Sequence, residues 1–179
     1  AEEAVDTSAC PVDALDEADG PVRVEFWHGM SASLGESLQE LTDTYNASQD
    51  RVEVELVFTG SYDETFERFR TAAGGDEVPT MLQLEETRIQ QMIDSDAVVP
   101  VQSCFEAADY DTSDHLQAVL DQYTVNDIVW PMPFNASNPV LYYNGRDFTE
   151  AGLNPDEPPQ TLDEVYEAAK QITESGAAK

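Results

Sequence analysis

The sequence predicts an α/β layer fold with a mostly parallel sheet, and three observations lead there. Apolar and polar residues alternate with period two in Val22–Phe26 and again through Val52–Phe58, as half-buried strands do. After each of these, apolar residues recur at helical spacing: Leu34, Leu38, Leu41 and Tyr45 in the first stretch, Phe66, Phe69 and Ala73 in the second. Glycine and proline punctuate the boundaries, and no apolar run approaches the ~18 residues that a membrane-spanning helix needs. Strands separated by helices of this length pack as layers about a parallel sheet.

Residues 1–20 are acidic, rich in Ala and Asp, and end at Gly20-Pro21. They read as a leader arm, ordered mainly if Cys10 is tied down. The first strand follows at Val22–Phe26. A helix from Ser31 to Ala47 opens on Ser31-x-x-Leu34, short of a full capping box. The second strand, Val52–Phe58, precedes a helix from Tyr62 to Ala73 that stops at Gly74-Gly75. Pro79–Leu84 gives a short strand, Thr87–Ile93 a short helix, and Ala97–Val101 a brief strand broken by Pro100. Phe105–Tyr123 holds one or two helical pieces, and Val125–Met132 folds as a hairpin around Asn126-Asp127. Pro139–Tyr143 is a continuous apolar strand, and Arg146–Ala151 a short helix closed by Gly152. Asn154-Pro155 and Pro158-Pro159 mark a rigid loop. Thr161-x-x-Glu164 is a capping box that opens a helix through Ile172, ending at Gly176.

The charge balance excludes partners. Across 179 residues, 37 Asp plus Glu face 8 Lys plus Arg, a formal charge of −29. Such a field repels phosphate backbones and anionic lipid headgroups, and the cations, from Arg23 to Lys179, form no basic stripe. Nucleic acid is excluded as a partner, and the surplus acid keeps a secreted or salt-exposed protein soluble. Ala1–Cys10 has neither the basic start nor the hydrophobic stretch of a signal peptide. Cys10 and Cys104 have no CxxC pattern and no nearby His, so no zinc site is expected. They are two free thiols or one long-range disulfide.

In open parallel sheets, ligands sit beyond the carboxyl ends of the strands. That singles out Trp27-His28, Gly60-Ser61-Tyr62, Glu85-Glu86 and Phe134–Asn138. Taken singly these residues say little: Trp27, Tyr142 and Tyr143 suit a core, and Glu85-Glu86 suits a solvated helix start. No catalytic residues are assigned. Paired carboxylates abound in a chain this acidic, but none carries the motif of a glycoside hydrolase, which stands only as the third reading. Neither His28 nor His115 has a serine elbow or reactive cysteine nearby. Asp109-x-Asp111-x-Ser113-Asp114 begins like a calcium loop but lacks Gly at its sixth place and Glu at its twelfth. No metal and no cofactor are expected.

At the same strand ends the sequence resembles a family. Phe26-Trp27-His28-Gly29-Met30, Gly35 and Thr59-Gly60-Ser61-Tyr62 resemble the opening of the solute-binding proteins that serve glycerol-3-phosphate ABC importers. Leu82–Glu86, Pro133–Asn144, Ala151–Pro155 and Pro158–Thr161 continue the likeness, which runs from about Val22 to the end of the chain. Glu85 stands where the family pattern has an aromatic, and Ala136 where it has a hydroxyl. The resemblance implies a type II periplasmic-binding-protein-like fold, two α/β lobes closing over a ligand. It assigns 1–20 to the acidic leader, 21–134 to the first lobe, 135–144 to a hinge-crossing segment, and 145–179 to the start of a truncated second lobe.

The function so implied is capture of glycerol-3-phosphate or a glycerophosphodiester, with a sugar or oligosaccharide as the alternative, and delivery to a membrane permease. The protein is then a monomeric binder and not an enzyme. It acts outside the cytoplasm, in the periplasm or at the cell surface, with a lipid anchor on the precursor as one variant. Export favours the disulfide between Cys10 and Cys104. Tyr62, Glu86 and Ser137 carry over as ligand positions, with Trp27 and His28 lining the cleft beside them. Ionised Glu86 can accept two polyol hydroxyl bonds, Ser137 can donate to an anionic oxygen, and Tyr62 offers an apolar face and a phenol. The family's guanidinium for the phosphate lies beyond this chain.

Overall fold

A computed structural model describes residues 5–75 and 77–177. The chain divides into two compact units, 1–136 and 137–179. Unit one holds β1 (Val22–His28), α1 (Ala32–Ser48), β2 (Val52–Phe58), α2 (Tyr62–Ala72) and β3 (Met81–Leu82). After a 3-10 turn come α3 (Ile89–Ile93), α4 (Val101–Ala107), α5 (Gln117–Gln122), β4 (Thr124–Val125) and β5 (Ile128–Val129).

The sheet order is β2-β1-β3, all parallel. Strand β1 pairs with β2 from Val22↔Val52 to His28↔Phe58. Neighbouring β1 residues point to opposite faces, and each seeds a core. Phe26 packs with Met30 and Leu38 of α1, joined by Val54 and Leu56. Trp27 packs with Phe66 and Phe69 of α2 and Met92 of α3. Because all three strands run the same way, their carboxyl ends lie along one edge.

Helix α1 differs from the expectation of one four-residue apolar stripe. Leu38 is buried, whereas Leu34, Leu41 and Tyr45 are 63%, 65% and 46% exposed. The inward face is instead Leu38, Thr42 and Asn46. The reason lies at the open edge of β2, where strand amides and carbonyls need partners. Asn46 donates from Nδ2 to the Val54 carbonyl and accepts the Val54 N–H at Oδ1, both at 2.9 Å. Gln49 does the same for Val52, at 2.7 and 2.8 Å. Two side-chain amides thus serve as a surrogate strand, and they set the rotation of α1. Asn46→Ala removes two bonds and leaves an edge amide and carbonyl to water. We expect a loss of about 1–2 kcal/mol, read as a lower denaturant midpoint at unchanged slope.

Strand β3 is shorter than expected, and Ala97–Val101 is not a strand. Pro100 ends that segment and caps α4, and the Val101 N–H goes to the Trp130 carbonyl at 2.8 Å. The hairpin forms as expected: Asn126 and Asp127 have φ of +52° and +63°, the paired left-handed residues of a two-residue turn whose twist suits a hairpin. Helix α2 carries a capping box, with Ser61 N–H to Glu64 at 2.7 Å and Glu64 N–H to Ser61 Oγ at 3.3 Å. Cys10 and Cys104 are disulfide-bonded, their Cα atoms 5.1 Å apart. The bond attaches two 3-10 turns, Thr7–Ala9 and Val12–Glu17, to α4, and an Asp16–Arg51 ion pair assists.

Unit two contains α6 (Gly145–Glu150) and α7 (Leu162–Ser175). The expected capping box at Thr161 and Glu164 is present, and Gly176 closes α7 at φ +76°. Phe148, Ala151 and Ala168 are buried, Tyr143 lies 4.6 Å from the Phe148 ring, and Gln171 donates to the Ala151 carbonyl at 2.7 Å. Pro139–Tyr143, expected as a strand, pairs with no strand among the described residues. Its apolar side chains are correspondingly open, with Val140 68% and Tyr142 92% exposed.

Candidate functional site

The carboxyl edge of the unit-one sheet is formed by the segments that follow β1, β2 and β3. An open cleft of about 510 Å³ lies there, lined by Met30, Leu34, Phe58, Ser61 and Tyr62 among others. Tyr62 is the first residue of α2 and half-buried. The turn before it requires Gly60, whose φ is +95°, a conformation that glycine adopts without strain. The Tyr62 ring rests on the backbone of Gly29: a methyl group on Gly29 would lie 3.2 Å from its Cδ1.

Glu86 begins the 3-10 turn after β3 and is exposed. Its neighbours are engaged, Glu85 with the Thr87 hydroxyl at 3.4 Å and Arg88 with Asp63 at 2.7 Å. The carboxylate of Glu86 takes no hydrogen bond from the described residues. Glu86 acts on a third group, Tyr123, which is 8% exposed. Burial raises the Tyr123 pKa, and the nearby Glu86 carboxylate raises it further. It therefore remains a phenol donor, and its hydroxyl reaches the Asn135 carbonyl at 3.4 Å. Nothing in the sequence marks Tyr123, which reads only as the end of a helical piece.

Trp27 and His28 lie deeper. Trp27 is 2% exposed in the α2-side core, its indole N–H donated to Glu25 at 2.5 Å and its ring covered by the Arg68 guanidinium at 3.9 Å. His28 is 5% exposed, with its ring 5.8 Å from that of Phe58. It is Gly29, Met30 and Ser31 that reach the cleft from this strand end. The Met30 N–H donates to His28 Nδ1 at 3.2 Å, which puts the neutral ring's proton on Nε2. Burial depresses the His28 pKa. A depressed folded-state pKa means stability fully present above the unfolded value, ~6.5, and lost as pH falls below it. Melting temperature is therefore expected to drop between pH 7 and pH 5.5, and His28→Gln to flatten that slope. An unchanged slope in the variant would assign the loss to other groups.

Ser137 opens unit two and is exposed. Among the described residues no three His, Cys, Asp or Glu side chains gather as metal ligands, and no helix is long and apolar enough to cross a membrane.

The unit-one sheet is small and parallel, with helices on both faces and a cleft at its carboxyl edge, and the solved structures it resembles place it in the type II periplasmic binding architecture. Residues 31–179 match the family of bacterial extracellular solute-binding proteins, and the chain belongs to it. It is 35% identical over 166 residues to the sn-glycerol-3-phosphate-binding periplasmic protein UgpB of Rhizobium meliloti, across 90% of this chain and 39% of that protein. Among solved structures, UgpB from Mycobacterium tuberculosis in complex with glycerophosphocholine superposes with a TM-score of 0.75 at 26% identity, over 88% of this chain and 41% of that one. The galacto-N-biose-/lacto-N-biose I-binding protein of Bifidobacterium longum shares the fold, with a TM-score of 0.72 at 20% identity over 89% and 39% of the two chains. The chain thus spans about two fifths of the length of the curated relatives it matches.

Proposed function

We propose that this chain is the ligand-capturing amino-terminal portion of an extracytoplasmic binding protein for glycerol-3-phosphate or a glycerophosphodiester, delivering to the permease of an ABC importer. One observation carries the reading: Tyr62 and Glu86 follow β2 and β3, parallel strands of one sheet whose carboxyl ends lie along one edge. Glu86 accepts the ligand's hydroxyls, Tyr62 lies along its carbon skeleton, and Ser137 meets a phosphate oxygen. Trp27 and His28 support the loop that bears Gly29 and Met30. In this reading 21–134 is the first lobe, 135–144 crosses the hinge and 145–179 begins the second lobe. The protein binds as a monomer and catalyses nothing.

The charge of −29 refines the choice of ligand. Glycerol-3-phosphate is an anion that such a field repels, whereas a zwitterionic diester such as glycerophosphocholine has no net charge to repel. The disulfide supports an oxidising compartment outside the cytoplasm. Calorimetric titration of the full-length protein with glycerophosphocholine, sn-glycerol-3-phosphate and a maltooligosaccharide tests the proposal. Saturable one-to-one binding of either glycerol compound supports it. Binding of the oligosaccharide alone replaces it with the sugar reading, and turnover of the diester would make the protein an enzyme.

A further inference from the structure

Gln83 follows β3 by one residue, and its side chain is 6% exposed. Its main-chain N–H extends the sheet by donating to the Trp27 carbonyl at 2.8 Å. Its side chain spans two other segments. Oε1 accepts the Gly29 N–H at 3.2 Å, and Nε2 donates to Asn135 Oδ1 at 3.1 Å. The orientation follows from chemistry. A backbone N–H can only donate, so the oxygen of Gln83 must face Gly29, its nitrogen must face Asn135, and the oxygen of Asn135 must face back. Asn135 is held a second time, through its carbonyl, by the Tyr123 hydroxyl at 3.4 Å.

Each end of this chain of bonds has a consequence for the site. Gly29 is the backbone wall on which the Tyr62 ring rests, a methyl there coming within 3.1 Å of the Gly60 carbonyl as well as 3.2 Å of the ring. Asn135 is the penultimate residue of unit one, and the division of the chain falls between Ala136 and Ser137. Gln83 itself stands three residues before Glu86. One buried amide therefore joins the backing of Tyr62, the strand end that presents Glu86, and the last turn of chain before Ser137.

We propose that Gln83 is a positioning residue for ligand binding, and that its bond to Asn135 is a latch fixing where the segment between the units starts to bend. This rests on the binding reading given above. Hinges absorb backbone change over a few residues. With Asn135 latched, that change is confined to Ala136 and beyond, and the sheet edge stays fixed while the ligand is enclosed. With the latch released, bending spreads back towards Phe134, and binding must order those residues anew.

The test uses full-length protein titrated with glycerophosphocholine and sn-glycerol-3-phosphate, well below each variant's melting temperature. Gln83→Leu and Asn135→Ala should each raise Kd about tenfold, the scale of one to two net hydrogen bonds. The double variant should be no weaker than Gln83→Leu alone, and Asn135→Asp, which keeps the acceptor, should recover most of the loss. A residue that merely supports the fold would lower the melting temperature without moving Kd in the folded protein, and that result overturns the latch. Strictly additive losses, or Asn135→Asp as weak as Asn135→Ala, overturn it too. If Gln83→Leu fails to fold, Asn135→Ala at an exposed position carries the test with its Asp control. A parent protein that binds neither compound overturns the functional reading and this inference with it, whereas a parent that binds alongside unaffected variants sinks the latch alone.

Discussion

Reduction of the Cys10–Cys104 bond, or replacement of both cysteines by serine, is expected to destabilise the first unit by about 3–5 kcal/mol. The bond closes a 94-residue separation that includes the whole β2-β1-β3 sheet. In the chain-entropy account a loop of that length restricts the unfolded chain by roughly 4–5 kcal/mol, less any native strain. For a chain near this size, each kcal/mol moves the melting temperature by about 2–4 °C, so a fall on the order of 10 °C is expected. A local effect accompanies the global one. Besides the disulfide, the turns at Thr7–Ala9 and Val12–Glu17 have the exposed Asp16–Arg51 ion pair, and such pairs contribute at most about 1 kcal/mol. Once reduced, the leader should fray, and a glutamate-specific protease should cut at Glu17 far faster than in the oxidised protein. Calorimetry with and without reductant, beside that digestion, measures both effects. An unchanged melting temperature in the serine pair would show that the unfolded ensemble is already as compact as the cross-linked one.

The sequence was most informative where local chemistry decides the structure. The period-two runs of β1 and β2, the capping box at Thr161 and Glu164, and the hairpin at Asn126-Asp127 all stand as expected, since each depends on residues within a few positions. It was least informative where a distant partner decides. Helical periodicity put Leu34, Leu41 and Tyr45 in the core, because nothing in a linear pattern shows that Asn46 and Gln49 will pair with the edge of β2 and turn the helix. The apolar run at Pro139–Tyr143 has the composition of a strand, but a strand exists only with a neighbour.

The candidate site divides along the same line. Tyr62 and Glu86 could be proposed from the sequence because they follow strand ends within recognisable motifs. Tyr123 and Gln83 could not, because the roles proposed for them rest on what they touch: a carbonyl 12 residues away for one, and a backbone N–H and a side-chain oxygen 54 and 52 residues away for the other. Trp27 and His28 show how a motif can misplace a role. Both sit at the right strand end, yet pleating and burial turn Trp27 into one core and enclose His28, leaving the following backbone to face the cleft.

Glu86 offers the sharpest test of the binding proposal, since one substitution separates two roles that predict opposite results. If its carboxylate accepts glycerol hydroxyls, Glu86→Gln should weaken binding by about 1–2 kcal/mol, the difference between charged and neutral hydrogen bonds, which is roughly 5- to 30-fold in Kd. Glu86→Ala leaves ligand hydroxyls without a partner and should cost more, on the order of 100-fold. If Glu86 instead contributes only to the general negative field, removing its charge should tighten binding of the anionic glycerol-3-phosphate and leave the zwitterionic glycerophosphocholine unaffected. The hydroxyl role predicts losses for both compounds, because both carry the same glycerol. Folding should not confuse the comparison: Glu86 is exposed, and substitutions at such positions usually stay within about 0.5 kcal/mol of neutral. Titration of the parent and both variants with the two ligands, at low and at moderate salt, gives the answer. Parallel losses that persist at moderate salt place the carboxylate on the ligand. A gain for glycerol-3-phosphate that fades with salt, and no change for the diester, would remove Glu86 from the site and leave Tyr62 and Tyr123 as the groups at this edge to be tested next.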